Sequence, residues 1–161
     1  MEGNFTLSVI RRLESYVEYE LGTGAETTKV QLAYDSPYRF GEPLDSDLEV
    51  KVNGYQDIVT DKLLAFLGRA EPRDAIDLFF ILEREDIWEL IRSTAKKDPG
   101  FDLYWLAVCM GRVRDFPDDI SRWPVVMIKY INPRQLKEQL LGLVEEIMTK
   151  IRASGDRGSL S

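Results

Sequence analysis

The sequence contains no histidine, and this absence excludes several kinds of catalytic and metal-binding chemistry. Ser-His-Asp and Cys-His catalysis, zinc or haem held by histidine, and histidine-based pH switching all require an imidazole. The single cysteine, Cys109, excludes an internal disulfide and a zinc site built from several cysteines. Carboxylates, lysine, arginine and tyrosine remain for chemistry, together with metals bound through oxygen.

A positive net charge and long apolar segments are also absent. The chain has 21 basic and 28 acidic residues and a net charge of −7, which argues against a general affinity for the nucleic acid backbone. No apolar run reaches the roughly 18 residues needed to cross a membrane, and residues 1–4 do not resemble a signal peptide. We therefore predict a cytoplasmic protein, and its 161 residues are enough for a sizeable core.

The first part of the chain predicts β-structure. Between residues 5 and 34, apolar and polar residues alternate with the period of strands, and turn residues at 22–26 predict a hairpin. We expect three antiparallel strands, with the first turn within residues 11–15. A helix over residues 6–20 is the alternative, but the period of two favours strands. Residues 35–47 are predicted to form a loop, and residues 48–52 a short fourth strand.

The rest of the chain predicts helices over residues 55–69, 72–83, 87–96, 102–116 and 133–153. Asn53 and Gln56 predict a capping box for the first helix, and Pro72 marks the start of the second. Asp86 and Glu89 predict a capping box for the third. The predicted fold class is therefore α+β. A small antiparallel sheet occupies residues 1–52, a helical bundle residues 53–153, and a flexible tail residues 154–161.

The first two helices place charged side chains among apolar ones. Lys62 and Arg69 lie within roughly 40° of the centre of the predicted apolar face of the first helix. The second helix is apolar almost all round, apart from a narrow polar strip of Arg73, Asp77 and Arg84 with Asp74 beside it. Because an unpaired buried charge costs several kcal/mol, we expect the two cations to pair with the two carboxylates. Such a cluster is either a structural salt bridge or the lining of a ligand or phosphate site. The predicted apolar face of the first helix, on which Lys62 and Arg69 lie, comprises Tyr55, Ile58, Val59, Leu63 and Phe66.

Two other segments contain residues that suit nucleotide chemistry. Asp45 and Asp47 resemble the acidic pair with which nucleotide transferases hold magnesium, although Pro, Gly and Ser nearby indicate a loop. Residues 34–40 combine an acid, a base and aromatic side chains, which suits either base stacking or a turn. Cys109 is expected to pack in the core rather than to act as a nucleophile.

Three segments carry a resemblance to a known family: VQLAYDSPYRFG at residues 30–41, DIVTDKLLAF at residues 57–66 and GRAEPRDAIDL at residues 68–78. They resemble the AbiEii toxins, which are nucleotidyltransferase-like proteins of bacterial abortive-infection, or type IV toxin–antitoxin, systems. The resemblance covers nearly all of residues 15–150. It implies that the small sheet is part of a nucleotidyltransferase-like sheet.

The resemblance also implies nucleotide or phosphate binding, with GTP or another nucleoside triphosphate as the ligand and Mg²⁺ as its metal. By position, Asp57 and Lys62 correspond to the third motif of the family. Arg73, Asp74 and Asp77 correspond to the fourth. The implied catalytic residues are Lys62, Asp74 and Asp77, and the implied nucleotide-binding residues are Asp57, Lys62, Arg69 and Arg73.

Two departures from the family pattern lead us to predict no metal site and no activity for this chain alone. The Gly-Ser turn and the Asp-x-Asp metal pair have no counterpart, and Gln31 stands where relatives place a third carboxylate. A neutral amide is a weaker ligand than a carboxylate for a hard divalent cation. The chain is then a truncated or degenerate relative that retains a nucleotide-binding or interaction role. The alternatives are the C-terminal part of an enzyme completed by another segment, and a purely structural interaction domain.

Two protein partners follow from these observations. The resemblance implies an antitoxin protein. A small sheet also leaves an unpaired strand edge, which favours pairing with another chain, so a homodimer is expected.

Overall fold

The computed structural model describes residues 5–34 and 37–155. Helices and two small antiparallel sheets in these residues confirm the predicted α+β class. The chain forms two compact units, residues 1–38 and residues 39–161, and each is described by itself below.

The first unit is a three-stranded antiparallel sheet. Its strands are β1 (Thr6–Leu13), β2 (Tyr16–Gly22) and β3 (Thr27–Ala33), in the order β1-β2-β3. The strand prediction is confirmed over this region, and the alternative of a helix over residues 6–20 is wrong. Cross-strand neighbours such as Tyr19 and Val30 share a face, as their period-two spacing requires.

The two turns of this sheet differ in how well they were predicted. The turn between β1 and β2 contains only Glu14 and Ser15, because β1 continues to Leu13 rather than ending near residue 11. The second turn lies where it was expected, and Thr23 N donates to Glu26 O at 2.9 Å. Gly24 has a φ of 70°, which glycine adopts without the steric cost of a Cβ.

The second unit begins with a short hairpin formed by β4 (Leu44–Asp45) and β5 (Lys51–Val52). The predicted strand over residues 48–52 is therefore wrong in its first half. Residues 46–50 turn, with Glu49 at a φ of 57° and Ser46 Oγ donating to Val50 O at 2.7 Å. Asp45 lies in a strand rather than in the predicted loop, and its carboxylate is paired with Lys51.

Within the described part of this unit five α-helices follow, and each predicted helix is present: α1 (Tyr55–Arg69), α2 (Pro72–Ile81), α3 (Ile87–Lys97), α4 (Leu103–Gly111) and α5 (Pro133–Gly155). The fourth helix was predicted too long, since it passes into a 3₁₀ turn over Arg112–Asp115. The first two residues of the predicted tail belong to α5, and residues 156–161 lie outside the described residues. None of the described helices is long and apolar enough to cross a lipid bilayer.

The helix ends show one correct and one incorrect capping prediction. Asp86 caps α3 as expected, with Oδ1 accepting from the amides of Trp88 and Glu89. The Glu89 carboxylate pairs with Arg92, so only the Asp86 half of the predicted capping box is seen in the described residues. The predicted capping box of α1 is wrong, because the N-cap is Gly54 and no side chain caps it. The carboxamide oxygen of Asn53 instead accepts from Arg39 Nε at 3.0 Å.

The connection between α1 and α2 is short, and this brings the two charged helices together. Ala70 ends α1 in the left-handed region, with a φ of 48°, and its amide donates to Phe66 O at 2.8 Å. Pro72 occupies the first turn of α2, where its missing N–H costs nothing. The hinge predicted at residues 70–72 is confirmed.

The face that α1 buries differs from the predicted one. Val59, Leu63 and Phe66 are buried as expected, but Tyr55 is 53% exposed and Ile58 44% exposed. The buried face extends instead across Asp57 and Thr60, which are both almost fully buried. The reason is that α1 also packs against α3, where Lys97 neutralises Asp57.

Candidate functional site

Helix α1 carries two sets of charged side chains that face different neighbours. Asp57 and Asp61 lie four residues apart and pair with Lys97 of α3, whereas Lys62 and Arg69 lie seven residues apart and pair with α2. Residues spaced by four or seven share one side of a helix, but Asp57 and Lys62 are separated by about 140°. The two residues assigned together to the third family motif therefore point in different directions.

The α1–α2 pairs confirm the predicted pairing of cations with carboxylates. Arg69 donates from Nε and Nη2 to the two oxygens of Asp74, at 2.7 and 2.6 Å. Lys62 Nζ donates to Asp77 Oδ2 at 2.7 Å. The hydrogen bond from Arg69 to Asp74, followed by the charge of that carboxylate, raises the pKa of the Arg69 guanidinium.

These pairs differ in their exposure. The Asp74 side chain is 1% exposed, while that of its partner Arg69 is 45% exposed. Lys62 and Asp77 are 45% and 39% exposed, so water and small ligands reach both. Of these four side chains, only that of Asp74 is buried.

Arg73 belongs to the same surface but pairs within its own turn. Its Nε lies 2.9 Å from Glu71 Oε2, and both side chains are about half exposed. An exposed pair of this kind contributes little to stability because water and salt screen it. Arg73 is therefore available to a ligand at small cost.

A surface cavity of about 400 Å³ borders the Lys62–Asp77 pair. Its cationic lining residues are Lys62, Arg84 and Lys129, and its apolar walls include the ring of Phe80. A neighbouring cavity of about 280 Å³ is lined by Arg73 and shares three residues with the first. The residues that line the first cavity are Tyr55, Ile58, Val59, Lys62, Asp77, Phe80, Ile81, Glu83, Arg84 and Lys129.

The composition of the first cavity suits a ligand that is both anionic and partly apolar. Ammonium and guanidinium groups bind phosphate oxygens through charge-assisted hydrogen bonds, and aromatic rings provide faces for planar groups. Tyr55 is held at the rim, and burial together with a hydrogen bond to Glu85 raises the pKa of its hydroxyl. The Tyr55 side chain is thus neutral at physiological pH and does not repel an anion.

The α1–α3 cluster is buried and structurally closed. Lys97 Nζ lies 2.9 Å from Asp57 Oδ1 and 2.6 Å from Asp61 Oδ1, and the side chains of Lys97 and Asp57 are 3% and 2% exposed. The Phe40 amide also donates to both oxygens of Asp57, at 3.3 and 3.2 Å. The donors that a buried carboxylate needs are supplied by the protein itself.

The electrostatic surroundings of this cluster favour its charged form. Burial alone would raise the pKa of the Asp57 carboxyl, but the hydrogen bonds from Lys97 and Phe40 outweigh burial and hold that pKa below its ordinary value. Burial likewise opposes the charge of Lys97, yet the hydrogen bonds to Asp61 and Asp57 raise the pKa of its ammonium. Both groups are therefore ionised over the whole neutral range.

The structure brings together only some of the predicted site residues. Lys62 and Asp77 line the first cavity, and Asp77 and Arg73 line the second. Asp57, Arg69 and Asp74 line neither of these two cavities. The catalytic and nucleotide-binding roles assigned to the six residues stay predictions.

Sequence reasoning missed Lys97, although a signal for it exists. Ile87, Leu90, Ile91 and Thr94 form the buried stripe of α3, and Lys97 continues that stripe by one helical step. A lysine on an apolar stripe predicts a buried carboxylate partner. Lys129 had no such signal, because it lies in a segment without helix or strand periodicity.

The remaining candidate residues have other roles or lie where the structure gives no description. In the segment at residues 34–40, Asp35 and Ser36 lie outside the described residues. Cys109 is buried and donates to Leu67 O at 3.3 Å, and burial raises the pKa of its thiol, as expected of a packing residue. Within residues 5–34 and 37–155, no three acidic or cysteine side chains lie close enough together to hold a metal ion.

Together, the fold and the site define an α+β protein in which a pair of charged helices borders a cation-lined cavity. A comparison with protein families matches residues 6–151 to the family described as AbiEii, nucleotidyl transferase AbiEii toxin, type IV TA system. The chain therefore belongs to the AbiEii family of nucleotidyltransferase-like toxins, and this membership implies an antitoxin partner. No curated protein and no solved structure gives a match.

Proposed function

We propose that this AbiEii-family chain binds a nucleoside triphosphate through its phosphates at the cavity beside Lys62. The observation that supports this proposal is the exposure of the Lys62–Asp77 pair. Its two side chains are 45% and 39% exposed and border a cavity of about 400 Å³. Cavities of roughly 300–1,000 Å³ commonly hold small molecules and cofactors.

Lys62 is the central phosphate-binding residue in this proposal. Its ammonium has three donors, and the contact with Asp77 shown by the structure uses one of them. The other donors are free to meet phosphate oxygens, and Arg84 adds a second cation on the same cavity wall. Asp77 holds the lysine in place and is a positioning residue.

The remaining predicted residues support the helices that form the cavity. Both oxygens of Asp74 accept hydrogen bonds from Arg69, so we assign this pair to fixing α2 against α1 rather than to catalysis. Asp57 fixes α1 against α3 through Lys97. Arg73 borders the neighbouring cavity and is assigned to the outer end of the ligand.

Replacing Lys62 with methionine is expected to weaken the binding of GTP by about tenfold to a hundredfold. This range corresponds to roughly 1.5–3 kcal/mol for a hydrogen bond to a charged group. Isothermal titration calorimetry with GTP and ATP, with and without Mg²⁺, measures the change. Thermal unfolding should show that the variant remains folded, since the lysine is 45% exposed.

Lys51→Met is the matched control for this experiment. Lys51 also forms an exposed pair with an aspartate, Asp45, but it lies in the β4–β5 hairpin and lines neither cavity. The affinity of the Lys51→Met variant for GTP should equal that of the unmodified chain. Equal affinity in Lys62→Met and in the unmodified chain would refute the proposal, as would the absence of binding in the unmodified chain.

We further propose that this chain alone does not transfer nucleotides. This proposal is supported by Gln31, which stands where relatives place a third carboxylate, and by the described residues, in which no three acidic or cysteine side chains lie close enough together to hold a metal ion. Any Mg²⁺ would then arrive as part of the nucleotide complex. Incubation with labelled nucleoside triphosphates and candidate RNA acceptors should give no labelled product, and Mg²⁺-dependent labelling would contradict this expectation. Labelling only after addition of a second segment would support the alternative of an enzyme completed by another chain.

A structural or interaction role is the second candidate function. It is favoured by a cluster of ion pairs on α1 and the start of α2, which join Lys62 to Asp77, Arg69 to Asp74 and Glu71, and Arg73 to Glu71. On this alternative, substitutions in the cluster change stability alone. In either case we expect the protein to act in the cytoplasm, with an antitoxin as its functional partner.

A further inference from the structure

Lys129 occupies the boundary between the two cavities. Its ammonium lies 4.7 Å from the centre of the Phe80 ring, in a cation–π contact. Lys129, Phe80 and Asp77 line both the cavity of about 400 Å³ and the cavity of about 280 Å³. The contact between the lysine and the ring therefore lies between the two cavities, the first of which is also lined by the Lys62–Asp77 pair.

The segment that carries Lys129 is weakly attached to the rest of its unit. Residues 126–130 form no helix or strand, and no backbone hydrogen bond of theirs is found within the described part of the chain. Val126, Ile128 and Tyr130 are 96%, 104% and 78% exposed. Met127 packs against the core, and Lys129 contacts Phe80. A segment with so few contacts changes conformation at low cost.

We propose that Lys129 is a further phosphate-binding residue, which leaves the ring of Phe80 and contacts the ligand when a nucleoside triphosphate occupies the cavity beside Lys62. The inference rests on the function proposed above and adds a residue that no family motif in the sequence includes. A cation–π contact at an exposed site is weaker than a charge-assisted hydrogen bond to phosphate, so the exchange is favourable. Movement of Lys129 away from the ring also joins the two cavities and uncovers one face of Phe80.

Electrostatics support the same movement. The two acids Asp77 and Glu83 formally balance the two cations Lys62 and Arg84 in the first cavity. A bound triphosphate would therefore leave the site with a net negative charge. Lys129 is the remaining cation among the residues that line this cavity. Its approach to the phosphates neutralises one of these negative charges without a bound metal.

The test compares GTP binding by the unmodified chain, Lys62→Met, Lys129→Met and Lys150→Met. Lys150 is a matched control because it also forms a cation–π contact, at 3.8 Å from the Trp88 ring, but lines neither cavity. We expect Lys129→Met to weaken binding about tenfold and Lys150→Met to leave it unchanged. Inorganic triphosphate is titrated in parallel, and a similar loss with it shows that the contact is to phosphate rather than to the base.

Limited proteolysis gives a readout that does not depend on affinity. Trypsin cleaves after lysine, and the bond between Lys129 and Tyr130 lies in the exposed segment. Saturating GTP should slow cleavage at this bond at least several-fold. The Lys62→Met variant should lose this protection.

The possible results separate this inference from the proposal on which it rests. If Lys62→Met loses affinity while Lys129→Met binds GTP normally and cleavage after Lys129 is unaffected by GTP, the role of Lys129 is wrong and the Lys62 site stands. If the unmodified chain binds neither GTP nor triphosphate, both proposals are wrong. Loss of binding in Lys129→Met accompanied by unfolding, seen as a lowered melting temperature, would also count against a direct contact.

Discussion

Replacing Lys97 with methionine is expected to lower the free energy of unfolding by about 3–5 kcal/mol, the range found when one partner of a buried ion pair is removed. The variant leaves the Asp57 carboxylate without its cation in a site where that side chain is 2% exposed. The Asp61 carboxylate is destabilised less than that of Asp57, because its side chain is 36% exposed and water replaces the lost ammonium. Urea unfolding followed by circular dichroism measures the loss.

Lys96→Met provides the matched control for this prediction. Lys96 is the preceding residue of the same helix and is exposed, so its replacement should change stability by less than about 0.5 kcal/mol. Adding Asp57→Asn to Lys97→Met should restore part of the lost stability, because the double variant no longer buries an unpaired carboxylate. If Lys97→Met is no less stable than Lys96→Met, the buried pair does not hold α1 against α3.

The loss caused by Lys97→Met should also depend on pH. In the unmodified protein the depressed pKa of Asp57 contributes stability that is fully present above its unfolded-state pKa, about 3.9, and disappears as the pH falls through the lower folded-state pKa. The raised pKa of Lys97 contributes stability that is fully present below about 10.4 and disappears as the pH rises through the folded-state pKa. The difference between the two proteins should therefore be largest at neutral pH and shrink towards both extremes.

Arg69→Met is expected to lower the free energy of unfolding by about 2–3 kcal/mol, which is below the usual range for buried pairs because water reaches the guanidinium. The substitution removes the hydrogen bonds that both oxygens of Asp74 accept from Arg69, and the Asp74 side chain is 1% exposed. Asp74→Asn should cost less, about 1 kcal/mol, because Arg69 is 45% exposed and its charge regains water. Chemical unfolding of both variants and of the double variant measures this asymmetry.

Arg73→Met is the control for Arg69→Met, because Arg73 and Glu71 form a pair that is exposed on both sides. Its effect on stability should be close to zero. An Asp74→Asn variant as unstable as Arg69→Met would show that burial of the carboxylate does not determine the cost. Arg69→Met and Asp74→Asn both retain Lys62. The folded fraction of each variant should therefore still bind GTP if the Arg69–Asp74 pair is structural and the Lys62–Asp77 pair belongs to the binding site.

Local patterns in the sequence were sufficient to predict the elements and the pairing of the first two helices. The period of two over residues 5–34 predicted three strands, because strand side chains alternate between faces whatever the rest of the chain does. The short hinge at residues 70–72 makes α1 and α2 neighbours, and the cost of burying charge then predicts that Lys62 and Arg69 meet Asp74 and Asp77. The family was also recognisable from these segments, since its motifs are local.

Tertiary structure alone decided which charges are buried and which face a cavity. The helical wheel placed Lys62 and Arg69 on an apolar face, but α3 packs against the side with Asp57 and rotates the buried face of α1 away from Tyr55 and Ile58. Lys97 reaches Asp57 across 40 residues, and Lys129 reaches Phe80 from a segment with no periodic pattern. A one-dimensional pattern reports the neighbours of a residue along its own helix, whereas these contacts depend on how separate elements pack, and packing determines the desolvation of every charge at the site.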